Sequence, residues 1–192
     1  MPLQVFPSSG PVPLTVEIRW WVYPIENPVR VEFDADGNGV PEWSQPGFES
    51  GPGQRGYTYR QEGQYQLTVR VHDRGGRVTV YTAPVTVSAP AAFEAELQGR
   101  WTSMKTALRR GDIPVALECI HSESRPRYRD VFMALANRLA QDVDQIFTNI
   151  QLAKQGPGGA TYEMLRTEAG ITKSFEVRFQ VDADGVWRLR SF

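Results

Sequence analysis

Val87-Ser88-Ala89-Pro90-Ala91-Ala92 marks a change of period in this chain. On its N-terminal side, in Tyr65-Gln66-Leu67-Thr68-Val69-Arg70-Val71, apolar residues recur at every second position. That is the pattern of a half-buried strand. On its C-terminal side Phe93, Leu97, Trp101, Met104 and Leu108 recur at three and four, the spacing of one helix face. The switch predicts two domains joined by a short Pro/Ala linker: an all-β sandwich over residues 1–89 and an α+β domain over residues 90–192. A chain of 192 residues accommodates two domains of about 100 residues each.

Working back from the switch, Leu14-Thr15-Val16-Glu17-Ile18-Arg19-Trp20, Val29-Arg30-Val31-Glu32-Phe33 and Arg77-Val78-Thr79-Val80-Tyr81 alternate in the same way. Gly37, Gly39, Gly63 and Gly75-Gly76 punctuate them. Short strands at such spacing predict an antiparallel sandwich. Working forward, Gly111 is placed to close the first helix in a left-handed conformation. Asp112 is placed to cap a second helix, and Ser124 and Pro126 suit the first turn of a third. The third helix is expected to bury Tyr128, Val131, Phe132, Leu135 and Leu139. Period two then returns at Ile146, Thr148, Ile150 and Leu152, at Tyr162 and Met164, and at Phe175, Val177, Phe179 and Val181. The Asp182-Ala183-Asp184-Gly185 stretch reads as a hairpin turn before Val186-Trp187-Arg188-Leu189. Three helices followed by a curved antiparallel sheet is an α+β order.

Hydrophobic residues make up 41% of the chain, enough to build cores. The formal net charge is −1, which argues against a dedicated nucleic-acid binder. Charge interrupts every apolar stretch, so no membrane-inserting helix is expected. A single cysteine, Cys119, excludes an internal disulfide framework and a CxxC zinc site. Met1-Pro2-Leu3-Gln4-Val5 has neither a basic nor an apolar segment of the kind a signal peptide carries. Two locations stay open on composition: the cytoplasm, or the outside of the cytoplasm with any signal segment lying beyond this sequence.

Residues 10–87 resemble a PKD-type (polycystic kidney disease) immunoglobulin-like domain. The resemblance rests on Gly10 before Pro13-Leu14-Thr15-Val16, and on Tyr59, Gly63 and Tyr65 followed by Leu67, Val69, Val71 and Asp73. It departs at Glu32-Phe33-Asp34-Ala35-Asp36-Gly37, which lacks the Trp of the family's motif. The resemblance implies an extracytoplasmic spacer or binding module. Residues 93–192 are similar to the cone-shaped family that includes nuclear transport factor 2, ketosteroid isomerase and SnoaL. There the resemblance is carried by the order of elements, by Ala107-Leu108-Arg109-Arg110-Gly111-Asp112 and by the last strand. It implies a fold and no particular activity.

Asp34-Ala35-Asp36-Gly37-Asn38-Gly39-Val40-Pro41-Glu42 carries the sharpest local signal. Side-chain oxygens on Asp34, Asp36, Asn38 and Glu42, with the Val40 carbonyl, fall at spacings that suit calcium, a hard cation needing several oxygen ligands. The bidentate acid of an EF-hand is missing, because Gln45 stands at that position. The competing reading is a turn held by Asx hydrogen bonds. Trp21 and Tyr23 are expected to face outward, as an aromatic pair able to stack on a sugar or anchor a protein. Trp101, Tyr128, Phe132, Tyr162, Met164 and Phe179 are expected to line an apolar pocket in the cone.

Arg109, Arg110, Arg125, Arg127 and Arg129 read as a solvated helix face balanced by Glu118, Glu123 and Asp130. Cys119 reads as buried and His121 as a surface residue. Glu163 and Glu176 point away from the apolar face, so no pocket acid is evident. The function expected on these grounds is a non-enzymatic binding or structural module outside the cytoplasm, stabilised by calcium, with a protein or polysaccharide partner. The alternatives are an enzyme or small-ligand binder using the cone pocket, and a carbohydrate binder using Trp21 and Tyr23.

Overall fold

In the computed structural model of the chain, residues 3–21, 28–46, 52–156 and 158–192 are described. The chain is a mixed α+β protein rich in strands. Its contacts fall into two compact units, residues 1–90 and 91–192.

The first unit contains β1 (Leu3–Phe6), β2 (Ser9–Pro11), β3 (Leu14–Trp21), β4 (Pro28–Asp34), β5 (Trp43–Pro46), β6 (Pro52–Tyr59), β7 (Gly63–Asp73) and β8 (Val78–Ser88). They form a three-stranded sheet, β1-β3-β6, and a five-stranded sheet, β2-β8-β7-β4-β5. β2 runs parallel to β8; the other pairs are antiparallel. The alternation in β3 decides its faces: Leu14, Val16, Ile18 and Trp20 are buried, while Thr15, Arg19 and Trp21 are exposed. They share one core with Val31 and Phe33 of β4 and Leu67, Val69 and Val71 of β7. Each such large apolar side chain contributes about 1.5–3 kcal/mol on burial. The Trp20 and Phe33 rings, one from each sheet, meet edge to face with centroids 4.6 Å apart.

Trp20 dictates one glycine, and Tyr65 crowds another. Gly53 pairs with Trp20 across β3 and β6. A Cβ on Gly53 would lie 2.2 Å from the Trp20 indole, where no atom fits. A Cβ on Gly63 would lie 3.2 Å from the Tyr65 ring. That ring folds back so that the Tyr65 hydroxyl donates to the Gln61 carbonyl at 2.9 Å, in the manner of a tyrosine corner.

The second unit begins almost without a linker, because β8 ends at Ser88 and the first helix starts at Pro90. Proline suits a first helical position, where its missing N–H has no intrahelical partner to lose. The helices are α1 (Pro90–Arg109), α2 (Ile113–Glu118), α3 (Arg125–Ala134) and α4 (Ala136–Ile146), with a 3-10 turn at Ser122–Ser124. The strands β9 (Ile150–Gly156), β10 (Gly159–Glu168), β11 (Ile171–Val181) and β12 (Trp187–Ser191) form an antiparallel sheet in the order β12-β11-β10-β9. Bulges at Thr161/Tyr162 and Arg178/Phe179 supply local bends. Pro157, in the turn between β9 and β10, lies outside the described residues.

The face predicted for α1 is buried as expected, at Phe93, Leu97, Trp101, Met104 and Leu108. Gly111 takes φ +72°, and Asp112 caps α2 by accepting from the Val115 N–H at 3.2 Å. Three expectations are corrected. The third helix is two helices, interrupted at Leu135 (φ −106°, ψ 11°). The break moves the buried face from Tyr128 and Phe132 to Leu139 and Val143, leaving Val131 and Leu135 exposed. Ser124 makes no side-chain cap; its hydroxyl donates instead to the Arg190 carbonyl at 2.8 Å. Finally, Ile146 ends α4 instead of starting a strand, and Leu152 is exposed on the edge strand β9.

Candidate functional site

The acidic loop leaves β4 at Asp34, which is only 1% exposed. A buried carboxylate needs partners, and the chain supplies them at once. One oxygen accepts from the Gly37 N–H at 2.8 Å. The other accepts from the Gly39 N–H at 2.9 Å and from the Arg70 guanidinium of β7 at 3.0 Å. Gly37 and Gly39 both take positive φ, which turns their N–H groups inward. Asp36 accepts from the Asn38 backbone and side-chain amides at 3.0 and 2.9 Å. Asn38 in turn accepts from the Val40 N–H, and Glu42 from the Ala35 N–H at 2.6 Å. The loop is also tied down by the Tyr59 hydroxyl, which donates to the Ala35 carbonyl at 2.8 Å.

Of the five expected ligands, three converge: single oxygens of Asp34, Asp36 and Glu42 all lie within 4.8 Å of one another. Three carboxylates at that separation fit a divalent cation in charge. The fit stops there, because the Asn38 amide oxygen is turned to Val40 and Asp34 already has Arg70 as its counter-ion.

Trp21 is 41% exposed on the outer face of β3, as its alternation requires. Tyr23 lies outside the described residues. The six side chains expected to line a cone pocket are instead core: Trp101, Tyr128, Phe132, Tyr162, Met164 and Phe179 are each 5% exposed or less. Tyr128 stacks on Phe192 at 4.5 Å and both donates to and accepts from its backbone. Tyr162 meets Phe179 at 5.4 Å. Burial pushes the Tyr162 hydroxyl up to about 12 and raises Tyr128 as well, so both stay protonated at neutral pH.

A second polar centre was hidden in the sequence. Asp182, read as a turn residue, is 3% exposed and fixes the junction between the 3-10 turn and β12. It accepts from the Ser122 hydroxyl at 2.6 Å, the Ser122 N–H at 2.8 Å, the Ala183 N–H at 2.8 Å and Arg188 at 3.0 Å. Burial alone would raise this carboxyl. The hydrogen bonds from Ser122 and Ala183, with His121 beside them, outweigh burial and hold it well below the usual carboxylate range.

His121, expected at the surface, is 6% exposed, with Nε2 3.7 Å from Asp182. Its Nδ1 faces the Glu123 N–H at 3.3 Å and Arg190 at 3.2 Å. The Ser122 hydroxyl donates to Asp182 and not to His121, so the three side chains form a structural lock and not a nucleophile relay. Only the hairpin Asp182–Gly185 was visible in the sequence; its partner Ser122 is 60 residues away. Asp144 of α4 joins Lys105 at 2.9 Å and also Arg109. Those two cations hold its carboxyl below the ordinary value.

No family model and no curated protein matches the chain. Among solved structures, the chain is similar to the sulfur carrier protein SoxY from Chlorobium limicola f thiosulfatophilum, with TM-score 0.36 and 16% identity, over 46% of this chain and 80% of that one. It is similar also to a superoxide reductase (neelaredoxin) from Ignicoccus hospitalis, with TM-score 0.35 and 14% identity, over 45% of this chain and 78% of that one.

Proposed function

We propose that the chain is a non-enzymatic binding or structural module acting outside the cytoplasm, a PKD-like sandwich followed by a cone-shaped α+β domain. The observation that supports this most is the state of the buried carboxylates. Asp34 and Asp182 are the two buried acids among the described residues, and each already has both oxygens engaged. A general base needs a carboxylate with a raised pKa and a free lone pair toward substrate. Asp182 is held in the opposite direction. The side chains that an apolar pocket would use are packed on one another. Extracytoplasmic location follows from the PKD resemblance, which the Tyr65–Gln61 corner supports.

The enzyme alternative is tested by turnover. With small ketone, ester and epoxide substrates no rate above buffer is expected. Saturable turnover lost in Tyr128→Phe or Tyr162→Phe would replace the module with an enzyme.

Calcium belongs to this reading as a stabilising ion at Asp34, Asp36 and Glu42. Ligand binding to the folded state raises its melting temperature by mass action. In about ten millimolar calcium, roughly ten times the weak end of extracellular affinities, the shift is expected to be several degrees relative to chelator. It should vanish in Asp36→Ala, an exposed position whose loss leaves Asp34 and Arg70 paired. An identical melt in calcium and chelator makes Arg70 the loop's only cation.

A further inference from the structure

We propose that the groove between α2 and α3 binds an acidic, amphipathic helical segment of a partner protein. The inference rests on the reading of the chain as a binding module, and it names one site and one partner class. The groove has a volume of about 550 Å³. Ile113, Pro114 and Leu117 of α2 form its apolar floor, and Arg125, Arg129 and Met133 of α3 its rim. The rim residues are spaced four apart, so they form one stripe along α3. Met133 is 63% exposed.

The sequence alone made this arginine cluster a balanced, solvated face. Of the three acids read as its balance, one is paired elsewhere, and Glu118 and Asp130 make no ion pair among the described residues. Glu123 pairs with Arg190 at 2.7 Å, and Asp144 pairs with Lys105 and Arg109. Among the described residues, no ion pair is made by Arg110, Arg125, Arg127 or Arg129. Arg125 gives its Nε to the Ile120 carbonyl at 3.0 Å, which orients the guanidinium without neutralising it. Glu118 is the one acid lining the groove, and it stands on the α2 side.

Charge complementarity therefore asks for carboxylates along the α3 rim. Guanidiniums four residues apart match carboxylates at i and i+4 of a docked helix, each able to take a two-pronged contact. Leu or Phe side chains on the same helix would cover Ile113, Leu117 and Met133, as in helix-in-groove recognition. Methionine adapts its shape to such side chains. A nucleic-acid backbone would satisfy the arginines and leave the apolar floor uncovered.

The test uses the full chain and a fluorescein-labelled helical peptide carrying Glu pairs at i, i+4 beside a Leu stripe, followed by fluorescence anisotropy. Saturable binding is expected, with affinity on the order of 10–100 μM. Arg129→Glu and Met133→Asp should each weaken it about tenfold, with melting temperature unchanged because neither position is buried. The same peptide with Lys in place of Glu should bind Arg129→Glu better than the parent chain.

Binding that ignores both substitutions overturns the proposal, as does no saturation by about 1 mM. Co-sedimentation with phosphatidylglycerol vesicles, lost in Arg129→Glu while the peptide fails to bind, overturns it in favour of a lipid surface. None of these failures touches the non-enzymatic reading, which the turnover assay decides separately.

Discussion

The acidic loop of the first unit and the Asp182 centre of the second solve the same problem by different routes. Each buries a carboxylate. Asp34 is satisfied mainly by its own loop, through N–H groups three and five residues on, with one long-range partner in Arg70. Asp182 takes two of its hydrogen bonds from Ser122, 60 residues earlier, and a third from Arg188 on the next strand. A local solution is written in consecutive residues and looks like a motif. A distant one joins elements far apart in sequence, and its loss is expected to cost more.

Removing Asp182 should therefore have the largest effect. Asp182→Ala leaves the Ser122 N–H, the Ser122 hydroxyl and the Ala183 N–H without their acceptor, while Arg188 keeps Asp184, and is expected to cost about 3–5 kcal/mol from the donors left unsatisfied. Urea unfolding should show the loss. Hydrogen exchange by mass spectrometry should place it in residues 119–123 and 181–190. A cost below about 1 kcal/mol, within the range of an exposed pair, would remove the contrast with Asp34.

Acid should probe the same centre in the parent chain. Because the folded state holds Asp182 below its unfolded value of about 3.9, its contribution is complete above that pH and is lost as pH falls through the folded value. Asp184, lowered chiefly by its hydrogen bond from Arg188, acts in the same direction. Stability should thus decline below about pH 4. Asp182→Asn should flatten the acid limb, and an acid limb unchanged by that substitution would assign it to other carboxylates.

Asp34→Ala should cost less, about 2–3 kcal/mol, because Arg70 is partly exposed and water can take over its charge. Exchange protection should fall at Gly37 and Gly39 while β7 and β8 stay protected. Loss of protection across the whole first unit would show that the loop is as integral there as Asp182 is in the second. The smallest expected effect is Tyr65→Phe, about 1 kcal/mol for one hydrogen bond to Gln61. Equal loss in Tyr65→Phe and Asp34→Ala would mean that the corner and not the loop anchors this end of the sandwich.

Much of the first unit was legible as alternation: the faces of β3, β4 and β7 follow from period two and needed no partner information. The same holds for the face of α1 and the Gly111–Asp112 junction, where backbone preference acts within a few residues. The acidic loop was legible as a cluster. Whether it serves as a turn or a metal site depends on Arg70, which pattern alone cannot place beside Asp34. The break at Leu135 was missed because Val131 and Leu135 continue the helical period, while the chain must turn there to bring Leu139 and Val143 to the core.

The sequence by itself determined where the period changes, which faces are apolar, and which residue types stand close along the chain. Those properties are set by neighbours within one turn or one strand, where geometry is nearly independent of the rest of the molecule. Tertiary structure alone decided that the six expected pocket residues are packed core, that His121 and Asp182 are buried together, and that Glu123 pairs with Arg190 instead of with the α3 arginines. Each of these depends on groups far apart in sequence. The free energy of a charge or a ring is fixed by what surrounds it, and only the folded chain assembles those surroundings.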